Sequence, residues 1–347
     1  MGAIQFAKVL KTNLKLFKSF WHPLCHRREL IDHSDFIKFD TPIGEIVVFN
    51  DNNNYVAFDN KCPHRGATIY KESYGNQMPS CKYHGWTYIN GKIEIPNIKS
   101  FEDCNIEQVE YKKYKLDWCG DFLFVSEEPT IDLYKQLGTI YGILENISFN
   151  IDKRVDFDSY TFESTWQHAV ENALEPYHIP FIHKDTLAPL DLGEGENVFD
   201  GINSIWYAPI ENLKIKNRLA SLRKMFDIDF SYDGYMFIYI FPFSMLSSTF
   251  GYSYSLQNFF PHKIHTDKTN FSSRLLTANV KDEKCKKILD SFFSSTALIN
   301  RKVFDEDHNI CKLMKNHEWS AKENSFLSTS ENKIKYFREC YLKFLDE

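Results

Sequence analysis

Two pairs of metal-binding side chains lie close together in the first third of the sequence. Cys62 and His64 form one pair, and Cys81 and His84 follow after sixteen intervening residues. Thiolates and imidazoles at this spacing suit a tetrahedral ion, so zinc is one candidate. The other candidate is a two-iron, two-sulfide cluster in which two thiolates hold one iron and two imidazoles hold the other. Because each pair contains one residue of each kind, the order of the ligands favours the cluster.

Two histidines in the middle of the chain are candidate ligands for a single metal ion. His178 and His183 are five residues apart in a stretch, 164–183, that is expected to be helical. Pro176 and Pro180 must kink or break this helix, and we expect Pro180 to unwind the turn between the histidines so that both imidazoles face one ion. With one carboxylate from elsewhere, they would form a ligand set that leaves positions open for dioxygen. Taken alone, the two histidines are also compatible with ordinary core residues.

The segments around both motifs resemble the catalytic alpha subunits of Rieske non-haem iron oxygenases, the aromatic-ring-hydroxylating dioxygenase family. The stretches that carry the resemblance are 62–66, 81–86 and 171–183, and the motifs occur in the family's order. The resemblance implies a Rieske 2Fe-2S cluster and a mononuclear Fe(II) in one chain. A glycine follows each ligand pair of the cluster, which would let backbone N–H groups approach the sulfides.

The family supplies a third iron ligand from a late helix, and the stretch 304–311 resembles that helix. Asp307 aligns best with this ligand, and Asp305 is its rival. A solvent-exposed acidic helix face is the alternative explanation for these acids. The resemblance therefore implies that His178, His183 and Asp307 hold the mononuclear iron.

An acid three residues before the first iron-binding histidine is also implied to be functional. In the family it bridges that histidine to a cluster histidine of the neighbouring subunit, so Glu175 would connect His178 to His84 of an adjacent copy. Many members have Asp at this position, and some members that act on quaternary amines share the Glu. Asn172 is expected beside the iron, although an ordinary buried amide explains it equally well.

Composition limits the classes of function. The chain has 347 residues, 43% of them hydrophobic and 25% charged, with a net charge of -6, which argues against a general nucleic-acid binder. Eight scattered cysteines do not form the dense pattern of a secreted disulfide scaffold, so we expect a reducing compartment, the cytoplasm. The longest uncharged run, 234–261, is interrupted by serines and contains Pro242 and Gly251, so we reject a membrane span there.

The periodicity of the sequence predicts an α+β fold. An N-terminal helical segment (1–35) would precede an all-β domain (36–150) and a second domain (151–347) that mixes helices with longer strands. The resemblance implies that the first is a Rieske domain and that the second is a catalytic domain whose antiparallel sheet wraps a long helix. Whether the basic N-terminus is a targeting segment is open. The expected strands are 46–49, 55–58, 86–89 and 121–125, and the expected late helices are 282–314 and 331–345.

Aromatic residues alternate along two further expected strands. The first row is Tyr235, Phe237, Tyr239 and Phe241, and the second, after a break at 247–248, is Phe250, Tyr252 and Tyr254. Residues two apart on a strand share a face, so each row would present one aromatic surface. We expect core packing. If the rows line a substrate cavity instead, they suit either a flat ring or a quaternary ammonium group.

The resemblance implies the terminal oxygenase of a Rieske-type system. It would use O2 and electrons from an NAD(P)H-dependent reductase, a ferredoxin or both, and it would form a homotrimer. Its reaction would be hydroxylation, dihydroxylation or oxidative demethylation of a small aromatic or quaternary ammonium compound. The alternatives are a non-catalytic Rieske electron-transfer protein and a zinc-stabilised binding module. The sequence does not choose the substrate, the reductase, or the need for a beta subunit.

Overall fold

Two seven-stranded sheets, one in each half of the chain, organise the computed structural model, which describes residues 3–229, 232–314, 317–323 and 326–346. Within these ranges the α-helices are α1 (Ala3–Ser19), α2 (Leu133–Leu137), α3 (Ile140–Phe149), α4 (Trp166–Leu174), α5 (Ile179–Ile182), α6 (Leu213–Leu222), α7 (Glu283–Cys311) and α8 (Asn332–Asp346). The strands are β1 (His22–His26), β2 (Asp35–Thr41), β3 (Gly44–Asp51), β4 (Asn54–Asp59), β5 (Tyr74–Asn76), β6 (Thr87–Ile89), β7 (Lys92–Glu94), β8 (Lys113–Cys119), β9 (Phe122–Ser126), β10 (Ile151–Phe162), β11 (Glu196–Asp200), β12 (Asn203–Pro209), β13 (Gly234–Ile240), β14 (Ser244–Thr249), β15 (Ser253–Pro261) and β16 (Thr269–Ala278).

The first sheet has the strand order β1-β9-β8-β4-β3-β2-β5, and β6 and β7 form a separate hairpin. The predicted strands at 46–49 and 55–58 lie inside β3 and β4. The prediction at 121–125 falls on β9, whereas the one at 86–89 is shortened to β6 because Trp86 stays in the preceding loop. The predicted sheet-rich N-terminal half is therefore confirmed.

The second sheet is antiparallel, with the order β10-β16-β15-β14-β13-β12-β11, and α7 packs against it. Helix α7 begins after Asp282, whose carboxylate accepts a hydrogen bond from the Cys285 amide and so caps a free N–H of the first turn. Phe304 of α7 contacts Phe271 of β16, with ring centroids 4.9 Å apart. The predicted long helix and closing helix, and with them the α+β class, are confirmed.

The two aromatic rows have different outcomes. The first row lies on one face, as predicted, although Phe241 follows the end of β13. The prediction that the second row lies on one strand is wrong. Residues 247–248 lie within β14 and do not break the strand, and the chain turns at Phe250 and Gly251, with φ of 58° and 69°. Of that row only Tyr254 lies in a strand, and all three rings pack into a separate core cluster.

The uncharged run from Gly234 to Pro261 forms β13, β14 and β15 of the second sheet. None of the helices in the described ranges has both the length and the apolar character needed to cross a bilayer.

The predicted N-terminal helix is present as α1, and it packs against the second half of the chain. Phe17 meets Phe260 of β15 edge-on at 5.3 Å, and Trp166 Nε1 donates to Asn13 Oδ1 at 2.9 Å. One hydrophobic cluster thus includes residues from α1, the first sheet and the second sheet. The proposed domain boundaries at 35 and 150 stay predictions.

A buried ion pair fastens α4 to α8. Arg338 donates to both carboxylate oxygens of Glu171, at 2.6 and 2.8 Å, and Trp319 Nε1 donates to Glu171 Oε1 at 2.8 Å. Both charged side chains are about one-tenth exposed. Removing one partner from a buried pair leaves an uncompensated charge, which is costly.

We therefore expect Glu171→Gln to lower the free energy of unfolding by about 2–3 kcal/mol. The matched control is Glu110→Gln, which breaks the exposed 3.4 Å ion pair with Lys113. Such surface pairs contribute little, so the control should unfold like the wild type. Thermal unfolding followed by circular dichroism checks this, and equal midpoints for the two variants would contradict the role of the buried pair.

Candidate metal centres

The first candidate centre is formed by two tight loops that carry the predicted cluster ligands. Gly66 N–H donates to the Cys62 carbonyl and Gly85 N–H donates to the Cys81 carbonyl, both at 2.8 Å. These glycines have φ of 74° and 72°, in the left-handed region that side chains disfavour. Each glycine therefore uses its N–H to close the turn that carries its ligand pair. The backbone amides that contact the Cys62 thiol are those of His64 and Arg65, and not that of Gly66.

The two thiols and the two imidazoles are segregated. Cys62 and Cys81 are 3% and 2% exposed and their side chains contact each other, whereas His64 Nδ1 and His84 Nδ1 lie 3.1 Å apart towards the surface. A single zinc ion would need all four ligand atoms around one point, yet these four are not among the described sets whose ligand atoms lie mutually within 4.8 Å. The arrangement fits a cluster with thiolates on the inner iron and imidazoles on the outer iron.

Burial raises the pKa of the Cys62 thiol, while the amides of His64 and Arg65 oppose this shift by stabilising the thiolate. Trp86 stacks on the His64 ring at 4.6 Å and 8°, which fixes the orientation of that imidazole. Rigid imidazoles and amides directed at sulfur are the features that adjust the potential of such a cluster.

The second candidate centre begins where α4 ends. Because Pro176 disfavours a helical conformation in the residue before it, Glu175 is extended, with φ of -117° and ψ of 141°. The chain then turns into α5, and His183 follows its last residue. The expectation that Pro180 unwinds the intervening turn is wrong: Pro180 lies in the first turn of α5, where its missing N–H costs nothing.

Three predicted ligands converge on one point. His178 Nε2 lies 3.0 Å from His183 Nε2, and Asp307 Oδ1 of α7 lies 3.1 Å from His183 Nε2 and 3.5 Å from His178 Nε2. They form the one described set whose ligand atoms are all within 4.8 Å of one another. Two imidazoles and one carboxylate on one side of a point match a facial triad, so these residues fit a mononuclear iron.

Carboxylates orient both histidines. Glu175 Oε1 accepts from His178 Nδ1 at 2.6 Å, and Glu306 Oε2 accepts from His183 Nδ1 at 2.8 Å. When Nδ1 carries the proton, the Nε2 lone pair is free for a metal. The sequence did not identify Glu306, which stands in a run of three acids with nothing to distinguish it. Only the packing of α5 on α7 reveals its role.

The remaining candidates are also placed by the structure. Asn172 Nδ2 donates to Asp307 Oδ1 at 2.7 Å, so the amide lies beside the centre and holds the carboxylate. Asp305, the rival ligand, is exposed and lies near Arg301, away from the histidines. His308, which follows Asp307 in the sequence, is a further residue of this stretch that could bind a metal. It accepts a hydrogen bond from the Glu163 amide at 2.9 Å and stacks on Phe162, so it lies outside the centre.

The two imidazoles and the carboxylate shift one another's pKa values, because a protonated imidazole and an ionised carboxylate stabilise each other. Burial opposes ionisation of Asp307, but hydrogen bonds from His178 and His183 outweigh it and lower the pKa of Asp307 to about 2. Burial likewise opposes protonation of His178, but bonds to Asp307 and Glu175 raise its pKa to about 9. A cation at this point would take the place of the shared proton.

A cavity opens beside the centre. Its lining includes His178, Asp307, Trp206, Phe237 and Lys333. Tyr235 of the first aromatic row also lines it, whereas Tyr239 and Phe241 pack against Phe337 in the core. The row is thus divided between the cavity and the core.

The comparisons with known proteins agree with this geometry. Residues 20–107 match the Rieske [2Fe-2S] domain, and residues 153–347 match the ring hydroxylating alpha subunit (catalytic domain). The chain belongs to the ring-hydroxylating alpha subunit family. The two matched domains imply a Rieske cluster and a mononuclear iron, as the sequence predicted.

Members of the ring-hydroxylating alpha subunit family are similar to this chain over part of their length. The toluate 1,2-dioxygenase alpha subunit of Pseudomonas putida is 26% identical over 184 residues, 48% of this chain and 40% of that protein. The oxygenase subunit of glycine betaine monooxygenase from Chromohalobacter salexigens is 30% identical over 156 residues, 44% of this chain and 34% of that protein. The matches therefore span less than half of either relative.

The fold is similar over a much longer stretch. The crystal structure of a quaternary ammonium Rieske monooxygenase, CntA, with a bound inhibitor has a TM-score of 0.74 at 19% identity, covering 97% of this chain and 91% of that one. This likeness shows that the chain has the Rieske oxygenase fold.

Metal binding at the second centre should depend on pH. Because the pKa of His178 is about 9 without a metal, a divalent ion must displace a proton at neutral pH. We expect the affinity for Fe(II) to rise about tenfold per pH unit between pH 6 and 8. Anaerobic titration at several pH values checks this. An affinity that is constant over the range would show that metal binding displaces no proton from His178, and so that its pKa is not raised.

Proposed function

We propose that the protein is the terminal oxygenase of a Rieske-type system. It would use O2 and electrons from a reductase to hydroxylate, dihydroxylate or oxidatively demethylate a small organic substrate. The observation that carries this proposal is the convergence of His178, His183 and Asp307 beside a cavity, in a chain that also contains the cluster loops. A cluster alone transfers one electron, so the second centre is what distinguishes an oxygenase from a carrier.

The side chains of this protein would divide the work. Bound Fe(II) would supply the oxygen chemistry. His178, His183 and Asp307 would hold the ion from one side and leave the side facing the cavity open. Glu175 and Glu306 would keep the Nδ1 protons in place, and Asn172 would hold Asp307. The apolar lining from Trp206, Phe237 and Phe304 would exclude water.

We further infer a homotrimer in which the cluster of one subunit serves the iron of the next. His84 and Tyr83 are exposed at the outer edge of the cluster loops, where a neighbour or an electron donor can approach. Glu175 already holds His178, so His84 of a neighbouring subunit would complete the bridge. The electron donor would be an NAD(P)H-dependent reductase, a ferredoxin or both. All eight cysteines lie in the described ranges and none of them forms a disulfide, which supports a reducing compartment such as the cytoplasm.

A non-catalytic electron-transfer protein is a weaker hypothesis than an oxygenase. A chain that only transferred electrons would have no use for three ligands whose orientation is maintained by further hydrogen bonds. The relatives named above act on an aromatic acid and on a quaternary amine, so the family leaves two substrate classes for this cavity.

The assignment of Asp307 is tested by metal content. Asp307→Ala removes one of three ligands, so the purified protein should keep about two irons and two sulfides and lose the third iron. Asp305→Ala is the matched control, because its carboxylate lies two residues earlier and outside the centre. It should retain about three irons, as the wild type should. Iron and acid-labile sulfide analysis after anaerobic purification decides the matter, and three irons in both variants would refute the assignment.

The role of Glu175 is tested by electron transfer. Glu175→Gln keeps the side-chain length but removes the charge that holds His178 Nδ1–H. We expect both metals to remain while single-turnover oxidation of the reduced cluster slows by about 100-fold, in the range found for lost hydrogen-bond partners of metal ligands. Stopped-flow absorbance of the cluster measures this, and a wild-type rate would exclude the bridge.

A further inference from the structure

A lysine is buried in the cavity beside the second centre. Lys333, near the start of α8, is 2% exposed, and its side chain lines the cavity together with His178 and Asp307. The oxygenase mechanism proposed for this protein gives Lys333 no role. A buried lysine that faces a cavity and not solvent calls for a physical explanation, because lysine almost never lies inside a protein without a charged partner.

Within the part of the chain that the structure describes, Lys333 forms no ion pair within 4.0 Å and no hydrogen bond. Its Nζ lies over the Trp206 ring at 4.5 Å and 5.9 Å from the Phe237 centroid. Glu175 favours its charge electrostatically, but both oxygens of that carboxylate accept hydrogen bonds from His178. The ammonium therefore has an aromatic partner in contact with it and, among the described residues, no anion within ion-pairing distance.

The burial of this ammonium is only partly offset. Desolvation lowers the pKa of Lys333 to about 7, since water is removed and the charge of Glu175 offsets this loss only in part. The contact with the Trp206 face stabilises the cation to a smaller extent. An anionic group in the cavity would supply the missing partner, as charge-assisted hydrogen bonds do in other buried sites.

The cavity continues into a second hollow that offers no competing cation. The two hollows share Tyr235 and Gln257, and the second is lined by hydroxyl-bearing residues such as Ser247 and Ser255. Of the described residues that line either hollow, Lys333 is the only lysine or arginine. Apart from the metal centre itself, Lys333 is thus the group in these hollows that can bind a negatively charged part of a ligand.

We propose that Lys333 determines specificity by binding the carboxylate of the substrate, so that the substrate is a small organic acid. This proposal rests on the oxygenase function above. The apolar part of the acid would pack against Trp206 and Phe237. The same contacts disfavour a quaternary ammonium substrate, because the aromatic face that would receive it already holds the Lys333 ammonium and like charges repel.

The first test compares ligands of one shape and different charge. Holoenzyme with reduced iron is titrated anaerobically by calorimetry with benzoate and benzamide, butyrate and butyramide, and choline. We expect at least one acid to bind about tenfold or more tightly than its amide, and choline not to bind. The proposal is overturned if no acid binds more tightly than its amide, or if choline binds more tightly than every acid.

The second test assigns the preference to the lysine. Lys333→Met keeps the shape of the side chain without its charge and should abolish the preference for the acid, while Lys333→Arg should retain part of it. Lys335→Met, at an exposed position on the same helix, is the matched control and should behave like the wild type. An unchanged preference in Lys333→Met would exclude the residue, whatever the wild type binds.

These measurements separate the proposal from the function on which it rests. Binding is measured without turnover, and iron and sulfide are counted in every sample. A protein that lacks the third iron but binds acids through Lys333 would refute the oxygenase and keep the anion site. A protein with three irons and no preference for acids would support the oxygenase and refute the anion site at Lys333.

Discussion

The geometry of the second centre depends on the balance of charge among two imidazoles and one carboxylate that meet at one point. Two imidazoles and a carboxylate from separate segments meet with their ligand atoms 3.0 to 3.5 Å apart. Groups this close and this poorly hydrated are stable only if a positive charge is shared among them, whether that charge is a proton or a metal ion. The pKa shifts of His178 and Asp307, upward and downward respectively, express this requirement.

The surrounding elements maintain that arrangement. Pro176 forces the chain out of α4 so that two histidines five residues apart can face the same point. The 29-residue α7 brings Asp307 and Glu306 to them, and the second sheet supports α7 along its length. Each ligand is in turn held by a neighbour, which reduces the freedom that metal binding would otherwise have to restrict. The rigidity of the centre is thus a property of the whole second half of the chain.

The first centre uses burial in a different way. Its thiols lie inside and its imidazoles lie near the surface, so the negative ligands are desolvated while the outer edge stays accessible. This polarity suits a cluster that must exchange electrons with another protein. Lys333 lines the cavity of the second centre, and the preference for acids that we propose for it is a property that overall fold similarity does not reveal.

The sequence by itself determined the motifs and the local elements. Ligand pairs, proline positions and hydrophobic periodicity are short-range features, and they sufficed for the cluster loops, the histidine pair, α1, α7 and most of the strands that we expected. Tertiary structure decided the rest. It brought Asp307, and not its rival Asp305, to the two histidines, placed Glu306 on His183, and turned the chain within the row at 250–254. It also placed Lys333 on Trp206, 127 positions earlier in the chain. These outcomes depend on which distant segments pack together, and no local pattern records that.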